Sequence, residues 1–266
     1  MEEKSRGRST RAPQAVVAAA GKPSLGSMRL TNRDWTISDQ VFRSKGIEDV
    51  FFLNDLEALA YATNSTTIAL QGVHQCSPTG RQKLVVGIGT GFNLCPFQSI
   101  DRGRLLTFSS ESGHMSLPSD ITDVANLYGG HVRKVEDLFS GRGFRRVIET
   151  ATGYRIEDVD QSKKVLKSNK GLAERVFRLY GSVLGQLLRN LCVSHLPYGG
   201  VFFAGSVARR IFSEQIFVSE LLATQGNTIL GDDWLPPISL FCQDDAALMG
   251  LALWEPVRAD ISDYRS

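Results

Sequence analysis

The sequence predicts an α/β protein in which strands are covered by helices and two lobes flank a cleft. Three observations lead there. Short apolar runs such as "AVVAAAG", "VFFL" and "GGVFFAG" have the length and bounding residues of buried strands. Stretches with helical spacing stand between them, and the alternation of the two is the pattern of layered α/β architecture. The 266 residues are 42% hydrophobic, enough apolar material for a substantial core in one large or two modest domains.

The elements follow in order. "MEEKSRGRSTRAPQ", residues 1–14, is polar and without apolar period, and predicts a frayed tail. "AVVAAAG" predicts a first buried strand ending at Gly21 and Pro23. "MRLTNRDWTIS" leads to an amphipathic segment near Asp39 to Ser44, then to a second buried strand, Val50 to Leu53. Leu56, Leu59 and Ala60 share one side of a short helix over Asp55 to Thr63. "LVVGIGTGFNLCPF" and "GRLLTFSS" predict an antiparallel meander turning on glycines. Helices follow at Ser140 to Thr150 and at Gly171 to Leu196, where Val176, Tyr180, Val183, Leu184, Leu187, Leu191 and His195 recur at helical spacing. "GGVFFAG" and "PISLF" are the last strands, and a helix from Ala246 to Trp254 closes the series, with Asp244 and Asp245 at its positive end.

Charge and cysteine usage exclude several functions. Thirty basic and 28 acidic residues are interspersed for a net charge of +2, which leaves no electrostatic footprint for nucleic acid or a membrane surface, so a small molecule is the expected partner. Four scattered cysteines without a C-x-x-C pair or a secretory signal predict free thiols in a reducing cytoplasm. No apolar run approaches the roughly 20 residues of a spanning helix.

Candidate functional residues sit where these elements end. Asn54 and Asp55 stand at the carboxyl end of a predicted strand, where ligands bind in open α/β sheets, and equally where Asn or Asp caps a helix. "GIGTG", Gly87 to Gly91, is neither a P-loop nor a dinucleotide fingerprint, since no Lys-Ser or Lys-Thr follows and Phe92 occupies the third glycine position. Such a turn can bring amides against phosphate oxygens, or it can be a plain hairpin. Glu111 and His114 flank a Ser112-Gly113 turn and could converge on one polar ligand, or be incidental loop groups. Glu136, in "KVEDLFSGRG", reads by itself as an acid near a helix start.

Taken in order, "LTNRDW", "LNDLEALA", "GIGTG", "ESGH", "VEDLFSGRG", "GGVFFAG" and "DDAALMG" resemble the bacterial glucokinases, ATP-dependent hexose kinases of the actin-like ATPase superfamily, from about Ala15 to Trp254. The resemblance implies a two-lobed actin-like ATPase (ribonuclease H-like) fold. It makes residues 15–65 with 243–266 the small lobe and 66–242 the large one. Asp55 matches the catalytic base that takes the proton of the sugar 6-hydroxyl, and Asn54 matches a sugar ligand. Glu111, His114 and Glu136 match the other sugar ligands. Gly89, Thr90 and Gly91 match a phosphate-binding turn, and Gly205 with Ser206 an adenosine-side loop. The implied substrates are glucose and ATP, with Mg²⁺ as cofactor and no protein metal ligand assigned. The assembly is open, a homodimer being the commonest closed form.

The sequence also departs from the family pattern. No D-I-G-G-T-N-like first phosphate motif occurs in Met1 to Lys22, so the small lobe is expected to be incomplete at its N-terminus. "AAGKP" stands for the usual Ala-Gly-Pro, and Asn93 follows Phe92 where Gly-Thr-Gly-Leu-Gly is usual. The alternative expectation is a non-catalytic sugar-binding or regulatory remnant that keeps the sugar ligands.

Overall fold

The computed structural model describes residues 14–31, 33–101, 103–121, 132–157, 159–224 and 234–256. The predicted tail and residues 257–266 lie outside these, except that Gln14 already belongs to the first strand. Among the described residues no helix is long and apolar enough to cross a membrane.

Three sheets organise the described residues. Strand β1 (Gln14–Ala19) lies parallel to β5 (Asp49–Asn54), with Ala19 level with Asn54. Between them, β2 (Gly21–Ser24), β3 (Ser27–Leu30) and β4 (Thr36–Ser38) form an antiparallel sheet. The sequence reading ended the first strand at Gly21 and Pro23; the chain instead turns into β2. Because β2 is an edge strand, the missing proline N–H is tolerated there.

The large sheet has the order β6-β11-β10-β7-β8-β9. Its strands are β6 (Leu70–His74), β7 (Gln82–Ile88), β8 (Phe92–Ser99), β9 (Leu105–Thr107), β10 (Gly200–Ala204) and β11 (Ile238–Phe241). β7, β8 and β9 are the predicted meander, with the glycine turn between β7 and β8. β10 runs parallel to both β7 and β11 in the centre.

The long helix Lys170–His195 covers one face of this sheet, starting one residue earlier than predicted behind an Asn169 cap that accepts from the Leu172 amide at 3.0 Å. Its apolar stripe, including Val176, Tyr180, Leu184 and Leu187, is buried in the main core cluster. Tyr180 is fully buried and its hydroxyl donates to the Leu138 carbonyl at 2.9 Å, which satisfies the one polar atom it takes inside. On the other face, helix Asp55–Ala62 packs Leu56, Ala60 and Tyr61 against Val85, Cys95 and Phe97. Helix Ala246–Leu253 lies against that helix, and Trp254 packs on Phe51 with tilted rings whose centroids are 5.0 Å apart. Helices Val159–Ser168, Ser206–Phe212 and Gln215–Ala223 and strand β6 were not anticipated from the sequence.

Candidate functional site

The parallel strands of two different sheets end at one place. Ala20 and Gly21 follow β1, Asn54 and Asp55 close β5, Gly89 follows β7, and Gly205 follows β10; all line a single cavity of about 170 Å³. This is the position that strand topology assigns to ligands in α/β sheets. Of the residues singled out in the sequence, Asn54, Asp55, Glu111, His114 and Glu136 line it with the Gly89–Gly91 turn and Gly205. Ser206 stands just outside, as the first residue of helix Ser206–Phe212.

The two readings of the Asn54–Asp55 pair separate in the structure, because the cap is Asn54. Its backbone is extended, its side-chain oxygen accepts from the Leu56 amide at 3.0 Å, and Glu57 returns a bond to the Asn54 amide at 2.8 Å. This reciprocal arrangement satisfies the first turn of the helix. The Asn54 amide group also donates to the Gly21 carbonyl at 3.1 Å, and the residue as a whole is only 5% exposed. Asp55 is thereby released from sole duty as a cap and faces the cavity. Burial raises its carboxyl above the ordinary value, the Leu56 amide and its own amide oppose this, and the Glu111 carboxylate adds a smaller upward push.

A second set of side chains comes from the loop after β9. Glu111 precedes a single 3₁₀ turn, Ser112–His114, whose Gly113 packs on β8 so closely that a Cβ there would lie 2.1 Å from the Phe92 carbonyl oxygen. His114 Nδ1 lies 3.2 Å from Lys134 Nζ and 3.8 Å from Glu136 Oε1. Glu136 belongs to a short helix of its own, Val135–Leu138, and is 19% exposed, so it is a cavity wall residue and not a solvated acid.

The Gly89–Gly91 turn is held at both sides. Gly89 donates to the Gly91 carbonyl at 3.0 Å, and its own carbonyl accepts from Gly141 at 2.8 Å, at the start of helix Gly141–Thr152. Among the described residues the Thr90 and Gly91 amides have no backbone partner, so they are available to an anion. Gly205 adopts φ 104° with its Cα facing Ile88; a Cβ would sit 2.4 Å from the Ile88 carbonyl oxygen. Only glycine lets β10 turn into its helix this close to β7.

Asn93, noted in the sequence only as a departure from the usual glycine, has a structural task. Its side-chain oxygen accepts from Leu94 and Ser112 amides at 2.9 and 3.0 Å and from the Ser110 hydroxyl at 3.0 Å, while its amide donates to the Ser110 carbonyl. It fastens the loop that carries Glu111 to β8. A sequence signal for this existed only in the residue type, since Asn is a short side chain that can accept from and donate to backbone at once.

Parallel strands of two sheets that end at one cavity lined by glycine turns and carboxylates make this a mixed α/β chain, and its similarity to solved sugar kinases places it in the actin-like ATPase fold. The particular branch follows from comparison with known proteins. The glucokinase family model matches residues 1–256, and the chain belongs to that family. Glucokinase of Caulobacter vibrioides is 28% identical over 214 residues, which cover 74% of this chain and 64% of that protein. The chain thus spans just under two thirds of that relative's length. In fold it is similar to glucokinase from Balamuthia mandrillaris in complex with glucose, with a TM-score of 0.67 and 21% identity over 90% of this chain and 77% of the other. It is also similar to a ROK family glucokinase from Streptomyces griseus in complex with glucose and AMPPNP, with a TM-score of 0.57 and 18% identity over 84% and 73% of the two chains.

Proposed function

We propose that this chain phosphorylates glucose at its 6-hydroxyl with ATP. The observation that carries the reading is the convergence of Asp55, Glu111, His114 and Glu136 with the Gly89–Gly91 turn and Gly205 on one cavity. Family membership and the glucose and nucleotide-analogue complexes of similar structures support it.

In this reading Asp55 is the general base. Its carboxylate takes the proton of the 6-hydroxyl while the oxygen's electron pair forms the bond to the γ-phosphorus and the bond to the leaving nucleotide oxygen breaks. Asn54 offers its second amide hydrogen to the sugar, since the first is held by the Gly21 carbonyl. Glu111, His114 and Glu136 hold the remaining ring hydroxyls, and a pocket that pairs each hydroxyl rejects analogues lacking one. The free amides of Thr90 and Gly91 receive phosphate oxygens, and Gly205 with Ser206 borders the nucleoside. Among the described residues no group of three or more His, Cys, Asp or Glu is gathered as a metal cage. When bound, Mg²⁺ supplies neutralisation of the charge on the transferring phosphate. The proposed setting is the cytoplasm.

The test is formation of glucose 6-phosphate by the purified chain with Mg-ATP, coupled to a dehydrogenase, beside the Asp55→Asn variant. Turnover that the variant loses is expected. A folded chain that binds glucose yet produces nothing would sink the kinase reading and favour a sugar-binding role.

A further inference from the structure

The helix that begins with Asp55 is laced to the strand that leads to Glu111. Glu57 Oε1 accepts from the Thr107 hydroxyl at 2.9 Å, the Tyr61 hydroxyl donates to the Leu105 carbonyl at 3.3 Å, and the Asn64 side chain donates to the Gly103 carbonyl at 3.0 Å. Positions 57, 61 and 64 recur at helical spacing on one face, and 107, 105 and 103 are alternate residues along β9 and the turn before it. The pattern is a register of helix against strand, and it runs along an edge of the large sheet, since β9 is its outermost strand.

Glu57 differs from the other two links because it works at both ends. Its second oxygen, Oε2, accepts from the Asn54 amide at 2.8 Å. An ordinary capping box uses that bond alone. Here the same carboxylate also grips Thr107, four residues ahead of Glu111 in the chain. One side chain therefore ties the residue preceding Asp55 to the strand whose continuation carries Glu111.

Resting on the function proposed above, we propose that Glu57 is a positioning residue that fixes the Asp55 carboxylate relative to the sugar-binding loop, with Thr107 as its partner. The helix bearing Asp55 is thereby coupled to the large sheet. Base and acceptor hydroxyl then keep their spacing when the sugar binds, and reaction rates are steep in that spacing.

The experiment compares the unmodified chain with Glu57→Ala, Glu57→Gln and Thr107→Val. Gln keeps an oxygen for the Asn54 amide and presents an N–H to the Thr107 hydroxyl, which can accept. Expected results are a kcat lowered about tenfold to a hundredfold in Glu57→Ala, with KM for ATP unchanged, and near-complete rescue in Glu57→Gln. Thr107→Val, the milder change, should lower kcat by a smaller factor and remains informative if Glu57→Ala fails to fold. Hydrogen exchange at the Asn54 amide gives an arm independent of turnover: protection lost in Glu57→Ala and kept in Glu57→Gln supports the tether. Unchanged kcat per folded molecule in Glu57→Ala, or equal Asn54 protection in all chains, overturns it. An unmodified chain without turnover refutes the kinase reading instead, and the exchange arm still decides the tether.

Discussion

Replacing Asp55, the proposed base, by Asn removes its proton-accepting carboxylate with almost no change of shape. The Asn side chain retains an oxygen to accept from the Leu56 amide, a bond that Asp55 makes at 3.1 Å, so the helix start is preserved. The loss falls on the transition state. A positioned general base contributes about 10²- to 10⁴-fold, which is about 2.7 to 5.4 kcal/mol of barrier. Glucose affinity should stay within a few-fold, because Asn54, Glu111, His114 and Glu136 are untouched. Stability should move the other way. Burial raises the Asp55 carboxyl above its ordinary 3.8 in the folded state, so the folded chain holds that proton more tightly than the unfolded one. The group then costs stability as pH rises from 3.8 through the raised folded value, and the full cost is present above both. Asn removes that cost, so Tm at neutral pH should equal or exceed that of the parent. The assay is coupled glucose 6-phosphate formation against pH, with thermal unfolding of both proteins. In the parent, kcat/KM should fall on the acid side with an inflection above 3.8; in the variant that limb should be missing. A variant with turnover within tenfold of the parent, or one that keeps the acid limb, would refute the assignment of Asp55.

The remaining predictions concern other walls of the cavity and the thiols. His114→Ala should raise KM for glucose about tenfold, the scale of one lost hydrogen bond with its partner left wanting, while KM for ATP stays put; equal glucose KM would make His114 a bystander. Gly205→Ala forces a side chain into φ 104° and against the Ile88 carbonyl, so it should cost about 1 to 3 kcal/mol of stability and raise KM for ATP, measured by denaturant unfolding and steady-state kinetics. Burial pushes the Cys95 and Cys192 thiols up to about 12, and the thiolate is the reactive form. A thiol reagent at pH 8 should therefore label Cys76 and Cys242, which are exposed, in the native protein, and reach Cys95 and Cys192 only on unfolding.

Much of the site was legible because its residues fall at ends of strands that the sequence marks clearly. Val50 to Leu53 followed by Asn-Asp, and "VFFA" followed by Gly-Ser, show both the strand and where it stops. Elements went unseen where local pattern is weak. Helix Gln215–Ala223 carries Ile216, Phe217, Val218, Leu221 and Leu222 around most of its circumference, so no single face announces a helical period. Strand β6 is an edge strand with its first three residues exposed, and its pairing with β11 comes from a segment far away in sequence. Pro23 reads as a breaker because its edge position, which makes it harmless, is a tertiary fact. The long-range contacts escaped for the same reason: nothing in "LNDLEALA" says that Glu57 will meet Thr107, or in "GFN" that Asn93 will hold Ser110 and Ser112.

The pair Asn54–Asp55 is ambiguous in sequence because Asn and Asp serve both as caps and as ligands, and in the structure Asn54 is the cap. A lone Asp at the cap would have its carboxylate committed to the first-turn amides, which stabilises the charged form and lowers its basicity. With Asn54 as cap and Glu57 completing the box, most of that demand is met by neighbours. The Leu56 amide and the Asp55 amide still favour the charged carboxylate, and burial in the cavity wins over both, so the carboxyl is raised. A base needs this direction of shift, since a carboxylate with greater proton affinity is a better acceptor at neutral pH. The proposed function needs Asn54 to be cap and sugar ligand at once, and its amide group still has one hydrogen to give after the Gly21 carbonyl is served. The order Asn then Asp is therefore not interchangeable: Asp-Asn would put the acid in the cap, tie its oxygens to the helix start, and leave the cavity facing a side chain that cannot take a proton.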